Sequence, residues 1–184
     1  MTQRVACFTG RFQPFHNQHL EVLAALSHEF DRIIIGITNP DLANLQEHSA
    51  SSHRHTNDAN PFSYESRVKI IQESVTELSH NTDIDVEFEI IPFDLTEPEL
   101  WSVPAESVFA VRIFSPWEAT KLSLFTDQGF EVLELPAPPA KLSASDIRHS
   151  LSLADSEWKS LVVPSAINVI QAEWDYSNST KVSA

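Results

Sequence analysis

Short apolar runs alternate with amphipathic stretches along most of this chain. Val5-Ala6-Cys7-Phe8 is apolar throughout and predicts a first strand, and Glu21-Val22-Leu23-Ala24-Ala25-Leu26 predicts the helix that follows it. The run from Arg32 to Thr38 is almost continuously β-branched, which suits a parallel strand buried on both faces. These three segments form a βαβ unit, and Asn39-Pro40 ends it. Val68, Ile71, Val75 and Leu78 recur at helical spacing behind Ser63, so a helix capped by Ser63 is expected to run to about Leu78. Between positions 83 and 93, Val86, Phe88 and Ile90 alternate with Glu87 and Glu89, the pattern of a half-exposed strand near a sheet edge. Ser107 to Ile113 reads as the fourth strand. Pro116 suits the first turn of the next helix, which runs through Leu122 and Phe125 and ends at Gly129. Phe130 to Leu135 is the last strand, and Pro136, Pro138 and Pro139 force an extended crossing after it. Ser143 can cap a further helix. Trp158, Leu161, Val162, Val163 and Pro164 precede an amphipathic helix with Ile167, Ile170 and Trp174, and from Tyr176 a polar, frayed tail is expected.

Alternating strands and helices predict an α/β domain: a Rossmann-like, doubly wound, mainly parallel sheet of about five strands with helices at its C-terminal end. One domain is expected over 1–175, with a polar tail over 176–184. With 184 residues and 42% hydrophobic content there is enough apolar material for a substantial core. No apolar run reaches membrane-spanning length and no signal-like segment opens the sequence, so a cytoplasmic protein without a membrane partner is expected. Cys7 is the single cysteine; it falls in a buried strand and reads as packing.

The net charge changes the picture more. At −14, from 12 basic and 26 acidic residues, the chain is a poor partner for nucleic acid. An anionic small molecule would be bound against the global field, so each basic residue near a motif is informative.

One such motif is Gly10-Arg11-Phe12-Gln13-Pro14-Phe15-His16-Asn17-Gln18-His19-Leu20, between the first strand and its helix. A helix's first turn carries unpaired N–H groups and the positive end of its dipole, a natural seat for phosphate. His16 and His19, about one turn apart, can face one anion there and donate to it. The long polar connection over 39–61 centres on Ser52-His53-Arg54-His55, a cationic cluster suited either to an anion or to weak metal binding. Leu142-Ser143-Ala144-Ser145-Asp146-Ile147-Arg148 offers hydroxyls and a guanidinium at a helix start, a weak signal by itself.

The run G-R-F-Q-P-F-H-N-Q-H resembles the signature of the nucleotidyltransferase superfamily, most closely the archaeal-type nicotinamide mononucleotide (NMN) adenylyltransferases. The segment Ser143 to Arg148 resembles that family's S-G-T-x-I-R, and Asn60 to Arg67 resembles its N-P-F-T-x-x-E-R. The Trp158 to Pro164 stretch resembles its W-x-x-L-V-P. Gln18 and Ala144 stand where the family carries glycine. The resemblance implies in-line attack of an acceptor oxygen on the α-phosphorus of a nucleoside triphosphate, with pyrophosphate leaving. By the same resemblance, His16 and His19 take the α- and β/γ-phosphates, Arg148 and Ser145 hold the leaving pyrophosphate, and Gly10, Arg11, Phe12, Gln13 and Ser143 complete the nucleotide site. Mg²⁺ is expected, bound mainly through substrate phosphates with no protein metal site.

The expected partners are thus a nucleoside triphosphate and a small anionic acceptor, and a homo-oligomer is left open. His53, Arg54 and His55 are expected at the acceptor. Trp101 matches a tryptophan that borders the family's acceptor site, though it suits core packing equally. Where the NMN enzymes carry a glycine–asparagine pair after the fourth strand, this chain has Ser115-Pro116-Trp117-Glu118, and Trp117 would fill nicotinamide's space. The segments Ile37 to Asp41, His53 to His55 and Asn60 to Phe62 also resemble a branch of cytidylyltransferases acting on small phosphonates in natural-product pathways. The favoured expectation is therefore a CTP-dependent cytidylyltransferase for a small phosphonate. NMN adenylyltransferase and a non-catalytic nucleotide sensor are the alternatives.

Overall fold

The computed structural model describes residues 3–45, 56–82 and 85–182. The five apolar runs become strands β1 (Val5–Gly10), β2 (Arg32–Thr38), β3 (Glu87–Phe93), β4 (Val108–Arg112) and β5 (Glu131–Leu135), joined in one sheet of order β3-β2-β1-β4-β5. All four pairings are parallel, with Cys7 of β1 opposite Ile34 on one side and Phe109 on the other. The charged alternation at Glu87 and Glu89 falls on an edge strand, as the pattern requires.

Side chains alternate across a strand, and here both faces are covered. Ala6, Phe8, Ile33, Ile35 and Ile37 belong to the larger core, with α1 (Asn17–Leu26), α2 (Tyr64–Asn81), α4 (Ala144–Ser152) and α5 (Ile167–Val182) against them. Val5, Cys7, Ile34 and Val111 face a second, aromatic core with Phe93, Phe109 and Phe125, the last from α3 (Pro116–Asp127). Trp158 is 1% exposed and acts as packing.

Strand β1 runs past Phe8 to Gly10, and three helix boundaries also differ from the sequence pattern. Helix α1 begins at Asn17, four residues before Glu21, because His16 caps it in extended conformation and its carbonyl accepts the N–H of His19 at 2.8 Å. The polar run Asn17-Gln18-His19 conceals this turn from any apolar periodicity. Helix α2 continues past Leu78 to Asn81. Helix α5 continues to Val182 through the stretch expected to fray; its Ser177 hydroxyl donates to the Pro61 carbonyl at 2.6 Å, anchoring it to the start of α2.

Candidate functional site

After β1 the chain winds toward one sheet edge and after β4 toward the other. In such sheets a crevice opens beyond the carboxyl ends of the strands at this switch point. Here it is a cleft of about 300 Å³ between the ends of β1 and β4, walled by the β1–α1 loop, α1, α3 and the start of α4.

The β1–α1 loop is shaped by contacts within the protein. Phe12 adopts a left-handed backbone (φ 51°), rare and strained for a side chain of this size. Its ring lies so close to Gly10 that a Cβ there would meet Phe12 Cε1 at 2.7 Å, hence glycine. The buried Gln13 amide pairs with the Phe62 backbone in both directions, donating to its carbonyl at 2.9 Å and accepting from its N–H at 3.0 Å. Arg11 reaches the Ala59 carbonyl at 3.4 Å and Asn60 Oδ1 at 3.3 Å. Arg67, fully buried, donates to the carbonyls of Arg11 (3.0 Å), Thr38 (2.8 Å), Asn39 (2.8 Å) and its own helix cap Ser63 (3.1 Å). Burial holds its pKa down at about 10, and carbonyl dipoles rather than a carboxylate compensate the charge. The two sequence motifs, residues 10–16 and 60–67, are thus one hydrogen-bonded unit. Phe12 and Gln13 serve it as scaffold: the ring is 2% exposed and both polar atoms of the Gln13 amide are engaged by Phe62.

His16 and His19 come together as the helical spacing requires. Their rings stack with centroids 3.6 Å apart and planes 18° apart. The Phe12 ring meets His19 edge-on at 5.0 Å, with Phe8 and Phe15 beside it. His19 Nδ1 accepts the His16 N–H at 3.2 Å, which puts the ring proton on Nε2. His16 Nδ1 is buried without a partner. Burial lowers the pKa of His16 to about 3, with Lys141 adding to the effect. His19 is held well below the ordinary range by burial, then by His16, Lys121, Lys141 and Arg112. Both rings are therefore neutral at physiological pH; the sequence alone admits a charge that this enclosure removes.

On the opposite wall, Arg148 donates to the Gln13 carbonyl at 2.7 Å and to Ser145 Oγ at 3.0 Å, one turn earlier on α4. Ser143 caps α4, its hydroxyl accepting the Ser145 N–H at 3.2 Å. Three cations that sequence reasoning missed also line the cleft. Lys121 of α3 donates to the Thr9 carbonyl at the end of β1, at 2.7 Å. Arg112 donates to the Gln18 carbonyl and to Glu21, both at 3.2 Å. Lys141 pairs with Glu118 at 3.0 Å and lies 4.9 Å from the Phe114 ring centre. With Arg11 and Arg148, five of the chain's 12 basic residues line this cleft among the described residues, against one carboxylate, Glu118. Burial would raise the Glu118 pKa, but hydrogen bonds from Ser115 and Lys141 keep it below the usual range. No local signature marks these cations in the sequence, since each stands alone between unrelated neighbours.

Trp117 lines the cleft beside Glu118 at the first turn of α3. Trp101 does not. It stacks on Phe93 at 4.7 Å within the second core, next to Phe109, Phe125 and Phe130, and its indole N–H donates to the Asp94 carbonyl. Of the two readings the sequence left equally open for Trp101, these contacts are those of packing against the second core. His53, Arg54 and His55 lie outside the described residues. Among the described residues no cluster of three His, Cys, Asp or Glu side chains could hold a metal ion, and no helix is long and apolar enough to cross a membrane.

This cationic, switch-point cleft with two stacked histidines at a helix start coincides with a family match. Residues 7–150 fit the model of the cytidylyltransferase-like family. The chain belongs to that family. This nucleotidyltransferase is 29% identical over 167 residues to a phosphonoformate cytidylyltransferase of Streptomyces viridochromogenes, with 88% of each chain covered. It is 33% identical over 171 residues to a nicotinamide-nucleotide adenylyltransferase of Methanospirillum hungatei, covering 90% of this chain and 86% of that one. Among solved structures it resembles a bifunctional NMN adenylyltransferase/ADP-ribose pyrophosphatase of Francisella tularensis, complexed with AMP and a manganese ion. That match has a TM-score of 0.57 at 17% identity, and covers 88% of the transferase but 44% of the bifunctional chain, so it speaks for the fold.

Proposed function

We propose that this nucleotidyltransferase moves a cytidylyl group from CTP to a small phosphonate, releasing pyrophosphate. The observation that carries the reading is the composition of the cleft mouth at the first turn of α3. Trp117 and Glu118 line it, so a bulky indole and a carboxylate stand at this end of the cleft. A nicotinamide nucleotide needs both room and a hydrogen-bonding partner there, and the bulky indole favours a compact anionic acceptor. The relative named for phosphonoformate supports the same choice.

In this reading an acceptor oxygen attacks the α-phosphorus, the bond from that phosphorus to the bridging oxygen of the β-phosphate breaks, and pyrophosphate carries away the electron pair. The acceptor is already ionised, so no protein base is required, and catalysis consists of positioning and charge stabilisation. Neutral His19, its proton on Nε2, donates to the α-phosphate, with His16 beside it. Arg148, Ser145 and Lys141 stabilise the charge that grows on the β- and γ-phosphates, at the N-terminus of α4. Lys121 and Arg112 face the transferring group from the other wall. Arg54, with His53 and His55, is assigned to the acceptor. Glu118, the one carboxylate that lines the cleft among the described residues, is already engaged by Lys141 and Ser115, so Mg²⁺ would be held by the triphosphate oxygens and would neutralise their charge.

The test is pyrophosphate release across nucleoside triphosphates and acceptors. The expected result is a higher kcat/KM for CTP with a small phosphonate than for ATP with NMN, and a raised acceptor KM in Arg54→Ala. Preference for ATP and NMN would overturn it in favour of NMN adenylyl transfer. No turnover with any pair, alongside tight triphosphate binding, would mark a sensor.

A further inference from the structure

Gln18 stands where the H-x-G-H pattern has glycine, and it lines the cleft. It reaches across the mouth of the cleft to the segment between β5 and α4. The amide nitrogen donates to the Ala140 carbonyl at 2.8 Å, and the amide oxygen accepts the Leu142 N–H at 2.8 Å. This two-way pairing joins positions 122 and 124 residues apart in sequence. The segment it grips, 136–143, has no regular structure of its own and is mostly exposed. Between the two gripped residues sits Lys141, whose ammonium is held from α3 by Glu118 at 3.0 Å. Directly after them, Ser143 caps α4, the helix that carries Ser145 and Arg148. Residue 18 also accepts Arg112 through its backbone carbonyl, a bond independent of the side chain.

We propose that Gln18 is a positioning residue for the triphosphate: its amide clamps Ala140 and Leu142 and so fixes where Lys141, Ser143 and the start of α4 stand relative to His16 and His19. The proposal rests on the nucleotidyl-transfer reading and explains the departure from glycine as a gain. A glycine lacks the two bonds that pin Ala140 and Leu142, and ordering this part of the segment when substrate arrives is then a cost charged against binding. The Gln18 amide orders it beforehand. The effect belongs to the triphosphate and not to the acceptor, because the clamped residues lead into α4.

The test uses Gln18→Met, which keeps the length and volume of the side chain and removes both hydrogen bonds, with Gln18→Ala as a second variant. Trypsin cleavage after Lys141 reports the clamp without reference to activity. It is expected to accelerate in both variants while the melting temperature stays near wild type. Inorganic tripolyphosphate, measured by calorimetry, reports the phosphate subsite without a nucleobase. Its affinity is expected to fall roughly tenfold, the effect of two lost hydrogen bonds of ordinary strength. The KM for the nucleoside triphosphate should rise by the same factor, with the acceptor KM unchanged. Equal tripolyphosphate affinity in wild type and variants overturns the proposal, as does a parallel rise in both KM values, which would mark a general structural defect. Failure of the underlying reading looks different: wild type itself would bind neither tripolyphosphate nor any nucleoside triphosphate, while the trypsin result would stand.

Discussion

His19 is set in one tautomer before any substrate arrives, because its Nδ1 is occupied by the His16 N–H. That leaves Nε2–H as a fixed donor, backed by the Phe8, Phe12 and Phe15 rings, which cannot compete for it. Removing one preorganised donor to a transition state costs about 2.7–4 kcal/mol, or roughly a hundred- to thousand-fold in kcat. His19→Ala is therefore expected to lose that much turnover while retaining its circular dichroism spectrum. Near-normal kcat in a folded variant would remove His19 from the chemistry. The enclosure also has a stability signature. The pKa of His16 falls from 6.5 to about 3 on folding, so the unfolded chain binds the extra proton between these values. Its contribution is present in full above about pH 6.5 and is lost as pH falls toward about 3, at up to roughly 1.4 kcal/mol per pH unit for one group. Urea unfolding between pH 7 and pH 4.5 should lose stability less steeply in His16→Gln than in wild type. Parallel curves would mean that water reaches the ring.

At the scale of elements, the site is built where two loops are welded by one buried cation. Arg67 joins the β1–α1 loop to the end of β2 and to the start of α2 through four carbonyls. Lysine offers a compact charge with no planar fork and cannot reach all four. Arg67→Lys should lower stability by about 1–3 kcal/mol, the cost of a buried polar group left without a partner, with the denaturation midpoint falling at constant m-value. An unchanged midpoint would show that these carbonyls have other partners. Which parts of this arrangement the sequence discloses follows from how local each signal is. The β-branched run at Ile33 to Ile37 and the charged alternation at Glu87 and Glu89 encode their strands within a few residues. His16 and His19 are legible because they lie one helical turn apart at a helix start, whereas Ser145 and Arg148 are a weak signal alone and stand out only through the resemblance of Ser143 to Arg148 to S-G-T-x-I-R. Arg112, Lys121 and Lys141 converge only because β4, α3 and the α4 approach end at one cleft, so no window of sequence contains them together. Trp101 shows an ambiguity of another kind. The resemblance places it beside an acceptor and its size suits a core, and Phe93, Phe109, Phe125 and Phe130 are the rings it packs with.

For the molecule as a whole, the decisive contrast is between a net charge of −14 and a cleft lined, among the described residues, by five cations and one carboxylate. Everything outside the cleft is then even more negative than the total. A triphosphate approaching the site feels two opposed fields, short-range attraction from the lining and long-range repulsion from the body. Salt separates them, because the Debye length is about 30 Å at 0.01 M, about 10 Å at 0.1 M and about 3 Å at 1 M. At the lowest salt the repulsion spans the whole domain and weakens binding. Near 0.1 M most of it is screened, whereas contacts of about 3 Å inside a low-dielectric cleft are not. Toward 1 M the cleft's own attraction is screened as well. The expected outcome is a minimum: the KM for nucleoside triphosphate falls a few-fold from 0.01 M to 0.1 M salt and rises again toward 1 M. Simple anion sites on basic proteins lose affinity monotonically with salt. A steady rise of KM from 0.01 M upward would therefore show that the lining cations dominate at all ranges and that the acidic surface is electrostatically silent at the site. Lys121→Ala sharpens the comparison. Removing one cation from the lining should deepen the low-salt penalty without moving the salt concentration at which repulsion is screened, because that concentration is set by the distance of the surface acids and not by the cleft.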